Sequence, residues 1–281
     1  MEVVRNWIIM LAALALSIIT FLLVEPILLS PQGSFGPTVL QAQAPVAACL
    51  AMLAALSVGT VIAVGIARIF HPSTGLLVLG IGLGWLALQL QTFHQVALHG
   101  SFNWLVLEGL LWAIVVLVIV VIMARAIGPM VQPMLDPGEM IPDWAASIEA
   151  IKMGAAGLAV LPVVWLIAQS PFKGQVLAAT IIGSVAAGLV GRLVAPTVQP
   201  YLLFAGVCLF GALGQWVAGI MIPPDQVEAM VTSGALPHIA LPLPIDYAAG
   251  SLIGVPLGLQ WGSSFLQKDD PSRQESTAAN S

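Results

Sequence analysis

Charge is what this sequence lacks. Lys and Arg number 8 and Asp and Glu 13 among 281 residues, so 7% of the chain is charged while 59% is hydrophobic. Soluble domains are about 25% charged, and a water-facing skin cannot be assembled from so few ionic groups. The scarcity excludes a water-soluble globule and leaves lipid as the solvent for most of the chain.

Other absences narrow the function. Basic residues form no run and no face interleaved with aromatics, which excludes nucleic acid as a partner. The two cysteines, Cys49 and Cys208, fall in separate apolar runs at different expected depths, so they read as small core residues rather than as a disulfide. No HExxH, Glu-x-x-His or Cys-x-x-Cys occurs. Motifs therefore assign no metal ligands, no cofactor and no catalytic residue, and an enzyme is the least supported class.

What is present is a series of long apolar runs. A hydrocarbon core about 30 Å thick requires roughly 20 apolar residues in a helix. Eight runs meet that need, near residues 7–29, 46–69, 75–93, 102–123, 151–168, 175–193, 201–221 and 245–266. Turn residues separate them, among them Ser30-Pro31-Gln32-Gly33, His71-Pro72-Ser73 and Pro223-Pro224-Asp225. The fold class is all-α, a polytopic transmembrane helical bundle of about eight spans, with a polar, disordered tail at 267–281. The first run, longer than a signal-peptide core and without a small-x-small site, reads as a retained helix.

Cations set the direction. With the N-terminus inside, the cytoplasmic segments hold Arg5, Arg68, Arg125, Lys152, Arg192, Lys268 and Arg273, and the outer segments hold only Lys173. This positive-inside bias puts both termini in the cytoplasm and makes a bacterial inner membrane the expected location. Trp7, Trp104, Trp144, Trp165, Trp216 and Trp261 fall near span ends, as interfacial tryptophans do; Trp85 and Trp112 read as deeper.

A motif of small residue, Arg, three spacers and Pro recurs at Ala67-Arg68 to Pro72, Ala124-Arg125 to Pro129 and Gly191-Arg192 to Pro196. The last two continue into Val131-Gln132-Pro133 and Val198-Gln199-Pro200. Duplication of a two-helix hairpin explains this, and so do convergent stop signals, since Arg suits a helix C-terminus and Pro cannot continue the helix.

Gly250, Gly254, Gly258 and Gly262 recur every four residues and form one stripe of the last span. In lipid, close backbone approach through small residues supplies the contact that holds helices together. The stripe predicts a tight seam, either inside the protomer or in a homo- or hetero-oligomer. Pro256 and Pro162 predict kinks.

Ionisable residues at membrane depth are functional candidates. Glu25 lies about 6 Å and Glu108 about 9 Å from the outer span ends at a rise of 1.5 Å per residue, and Asp246 opens the last span on the same side. His94, His99 and His238 join them there. His94 and His99, five apart, point roughly 140° from one another on a helix, which disfavours a shared metal. The binding candidates are thus Glu108, Glu25, Asp246, His94 and His238. Around the spans, Asp143 is a helix N-cap candidate, Asp225 to Ser233 a short surface helix ended by Gly234, and the proline-broken stretch from Ala235 to Pro244 an outer lid or re-entrant segment.

Two functions fit this pattern. The first is a transporter or permease for a small solute or ion; the alternative is a non-catalytic membrane subunit or scaffold packing against partner proteins.

Overall fold

The computed structural model describes residues 2–30, 36, 38–99, 101–130, 147–223 and 225–268. Asp143, Trp144, the first Val-Gln-Pro copy and the tail beyond Lys268 lie outside them. Among the described residues the chain is all-helical, without strands. The helices are α1 (Glu2–Leu22), α2 (Pro45–Ile69), α3 (Pro72–Gln89), α4 (Phe93–His99), α5 (Phe102–Ile127), α6 (Ile148–Ala155), α7 (Val160–Ile167), α8 (Lys173–Val194), α9 (Tyr201–Met221), α10 (Val227–Ser233) and α11 (Pro244–Lys268).

Their ends follow from local chemistry. Pro45, Pro72 and Pro244 occupy first helical positions, where the missing N–H costs nothing and φ is already set. The His71 ring accepts the Ser73 N–H at 3.2 Å and caps α3, and Ser147 Oγ accepts the Ala150 N–H at 3.1 Å and caps α6. Gly128 (φ +119°) follows α5 and Gly234 (φ +69°) follows α10, both in the positive-φ region that favours glycine. Arg68, Arg125 and Arg192 each sit in the last turn of a helix, as the repeated Arg-to-Pro motif requires.

Three boundaries differ from the sequence reading. The first span leaves α-geometry after Leu22, and Glu25 opens a 3-10 turn, Glu25–Ile27, whose Pro26 cannot donate to an α-helical ladder. The third ends at Gln89, and His94 belongs to the separate short helix α4. The fifth is two helical pieces, α6 and α7, joined by a 3-10 turn at Ala156–Ala159. Pro162 has no N–H for the Leu158 carbonyl, so the irregularity falls on the residues just before it. Gly157 also meets α9 there: a Cβ on it would lie 2.7 Å from the Gly206 carbonyl carbon. α11 continues through Lys268, two residues into the 267–281 segment.

Among the described residues, seven stretches are long and apolar enough to cross a membrane: Val3–Ile27, Pro45–Ile69, Pro72–Gln89, Phe102–Ile127, Ile148–Ile167, Lys173–Val194 and Tyr201–Met221. The eighth expected span is α11, whose 25 residues reach about 37 Å but are less apolar than the others. Its position explains the difference. α11 packs against α3, α5, α8 and α9, and from Pro244 to Leu259 every residue except Ile253 and Leu257 is buried. A helix surrounded by protein is not required to match hydrocarbon.

The bundle is inside-out by the standards of a soluble protein. Ile8, Leu11, Leu50, Val61, Ile114, Leu166 and Ile220 face outward, whereas Glu108, Arg192, Gln215 and Asp246 are buried. Outward apolar faces of this extent are solvated by lipid, not water. Trp7, Trp104, Trp165, Trp216 and Trp261 all face outward. Trp85, expected deep, also faces outward, four residues from the end of α3, while Trp112 is buried.

Candidate functional site

The glycine stripe brings α11 and α8 together, the most extensive helix pair among the described residues. A Cβ on Gly250 would lie 2.8 Å from Thr180 Oγ1, and one on Gly258 would lie 2.8 Å from the Leu189 nitrogen. A Cβ on Gly254 would collide with the Ile181 carbonyl oxygen, and Gly262 abuts the Arg192 side chain. The stripe is therefore filled by α8 of the same chain, and that surface is not free for another protomer.

This seam carries the charged groups. Lys173 opens α8, and its Nζ donates to both Asp246 carboxylate oxygens at 2.9 Å. Asp246, in the first turn of α11, also accepts the Leu243 N–H at 2.7 Å, so it caps its own helix while neutralising Lys173. The carboxylate is fully buried and the lysine side chain is 10% exposed. Below the pair, Thr180 Oγ1 donates to the Asp246 carbonyl at 2.9 Å. At the far end of the seam Arg192 is buried, with Nε donating to Ser263 Oγ at 3.1 Å and Nη1 to the Pro196 carbonyl at 2.6 Å.

On the α9 side, Ser251 Oγ donates to the Phe204 carbonyl at 2.9 Å and Gln215 Nε2 to the Pro242 carbonyl at 2.7 Å. The proline-broken segment after α10 is thereby folded onto the end of the bundle, with Leu236, Ala240, Leu241 and Leu243 buried. Among the described residues, two buried atoms, Gln215 Oε1 and Tyr247 Oη, have no hydrogen-bond partner. Unpaired polar atoms inside a bundle are uncommon.

Glu108 forms a separate site. It lies buried in α5, where Oε2 accepts the Leu40 N–H at 2.9 Å and Oε1 accepts the Val39 N–H at 3.2 Å and Trp112 Nε1–H at 3.4 Å. The Thr38 hydroxyl is a fourth partner. Gln41 and Ser101 add a reciprocal pair, Nε2 to the Ser101 carbonyl at 3.5 Å and the Ser101 N–H to Oε1 at 3.3 Å. The strap 38–41 is thus fastened across α5 by neutral donors. Beneath it a pocket of about 180 Å³ opens between α2 and α5.

The expected outer cluster is accordingly distributed. Among the described residues Glu108 and Asp246 share no hydrogen-bond partner, His238 contacts the Trp165 carbonyl through Nδ1 at 3.2 Å, and Glu25 and His94 are half-buried elsewhere, in the Glu25–Ile27 turn and in α4. Among the described residues no three of His, Cys, Asp and Glu gather as a metal site would require. Cys208 is buried, and Cys49, expected in the core, is only half-buried and lines the α2/α5 pocket. Sequence reasoning missed Lys173, Gln215 and Tyr247. One signal was available: Lys173 is the single cation that departs from the expected positive-inside pattern.

These features fit a multi-pass integral membrane protein with a polar interior seam. Compared with protein-family models, curated proteins and solved structures, the chain matches none.

Proposed function

We propose that this protein is a permease for a small solute or ion, crossing the membrane eight times with α11 as the central span and both termini in the cytoplasm. The observation that carries the reading is the buried Lys173–Asp246 pair, set in a protein-lined seam; among the described residues the buried Gln215 Oε1 and Tyr247 Oη are also unpaired. Buried ionisable groups facing the inside of a bundle are costly to keep and mark solute or ion paths. Lys173 occupies the position that a cationic group of the solute would take on Asp246. In this reading Glu25, His94 and His238 belong to the outer side of the bundle, and Glu108 holds the strap 38–41 there.

Purified protein in liposomes, challenged with monovalent cations and small amines, tests it by charge movement. A current in the native protein, lost in Asp246→Asn, supports the reading. No flux of any probe, or a current unchanged by Asp246→Asn, contradicts it.

A membrane subunit or scaffold is the second reading. It is favoured by the saturation of both Glu108 and Asp246 by donors of the same chain. Isolation from native membranes as a lone, monodisperse species would count against it.

A further inference from the structure

We infer that the pocket between α2 and α5 is a binding site for one acyl chain of a bilayer lipid, roofed by the strap that Glu108 holds down. This stands apart from the permease reading and uses none of its residues in the Lys173–Asp246 seam.

The walls are Cys49, Met52, Leu56, Glu108, Trp112 and Val115. Although Glu108 is among them, its oxygens are turned to Val39 N–H, Leu40 N–H and Trp112 Nε1, so the cavity surface is almost wholly apolar. A pocket of about 180 Å³ with such walls suits hydrocarbon; a cavity of about 150 Å³ lined by Leu, Ile and Phe stays dry and accepts benzene. A polar solute would gain nothing here and would lose its water.

Access decides the source. Leu53 and Leu111 line the pocket and are at the same time 51% and 42% exposed on the outward faces of α2 and α5. Leu50, Leu110 and Ile114 beside them are also outward and apolar, so the mouth opens to the surrounding lipid. The roof closes the other direction, because Val39 and Leu40 of the strap form part of the lining while their N–H groups are taken by Glu108. From Cys49 to Leu56 the pocket runs about 10 Å along α2 at the helical rise, which fits a chain segment entering from one leaflet. Glu108 therefore acts as a positioning residue for the roof and not as a ligand to the lipid.

The test uses the full chain in vesicles of phosphatidylethanolamine and phosphatidylglycerol carrying a phospholipid with a diazirine in its acyl chain. Met52 and Trp112 are each 4% exposed, so a chain lying only against the outer faces does not reach them. Illumination and peptide mass spectrometry should find adducts on Met52 and Trp112 as well as on outward Leu50 and Ile114. Leu56→Trp, which fills the pocket, should remove the Met52 and Trp112 adducts and leave the outward ones; Val115→Phe serves if Leu56→Trp does not fold. Adducts confined to outward residues, meaning annular contact only, overturn the inference. So do Met52 and Trp112 adducts that persist with the pocket filled.

Discussion

Lys173 and Asp246, 73 positions apart in the chain, are joined by two contacts of 2.9 Å from one ammonium to both oxygens of one carboxylate. The one cation that departs from the expected positive-inside distribution is therefore neutralised by a buried acid of the same chain.

That pairing sets the first expectation. Lys173→Met leaves Asp246 buried without its counter-charge, and removal of one partner from a buried pair costs about 3–5 kcal/mol. The double variant Lys173→Met with Asp246→Asn removes both charges and should recover most of the loss. Unfolding in detergent, compared across the two single variants and the double, measures the coupling. Additive losses would mean the pair contributes nothing as a pair.

The α8/α11 seam has no room for a methyl group at Gly258, where a Cβ would meet backbone atoms of Leu189 and Gly188 at 2.8 and 2.9 Å. Gly258→Ala should destabilise by about 1–3 kcal/mol, the usual cost of overpacking. Gly65, where a Cβ would meet no other described part of the chain within 4 Å beyond its own helix, is the control. Gly65→Ala should be neutral or stabilise by up to about 1 kcal/mol through helix propensity. Thermal unfolding of both variants in the same detergent separates packing from propensity.

Glu108→Gln replaces one of two accepting oxygens with an NH2 group facing the strap. One strap N–H then loses its acceptor, at about 1–3 kcal/mol for a buried donor. Hydrogen exchange should accelerate at Val39 and Leu40 while the amides of α8 and α11 stay protected. Unchanged exchange in the strap would show that the carboxylate does not hold it.

The cysteines should differ in reactivity. Cys49 is half-buried at the α2/α5 pocket, whereas Cys208 is 1% exposed within α9. A small membrane-permeant maleimide should label one thiol per folded chain, at Cys49, and two after denaturation. Equal labelling of both in the folded protein would contradict the packing of α9.

Much of the bundle was legible because hydrocarbon imposes a length and a composition on each helix that faces it. α11 was legible by length and turn signals, yet its reduced apolarity has meaning only once α3, α5, α8 and α9 surround it. The glycine stripe announced a close contact, but spacing every four residues suits any opposing helix, so its partner α8 had to come from the fold. Glu108 stood out as a lone acid between tryptophans, while its partners, backbone N–H groups of the strap, carry no side-chain signature. Lys173 resembled an ordinary loop cation, since pairing across 73 positions leaves no local pattern. The Val-Gln-Pro repeat acquired one physical consequence: Gln199 Oε1 accepts the Met130 N–H at 3.0 Å, tying the exit of α5 to the start of α9. α3 and α5 barely touch, and α5 packs mainly on α9.

The proposed eight-span bundle stands on α11 crossing the bilayer inside a cage of the other helices. In cells carrying the chain with Cys49→Ser and Cys208→Ala, single Ser233→Cys and Ser264→Cys variants place a thiol at an exposed position on either side of the proposed crossing. A membrane-impermeant maleimide applied to intact cells should label position 233 and should reach position 264 only after the membrane is opened. Labelling of both positions from the same face would contradict the crossing and, with it, the eight-span bundle.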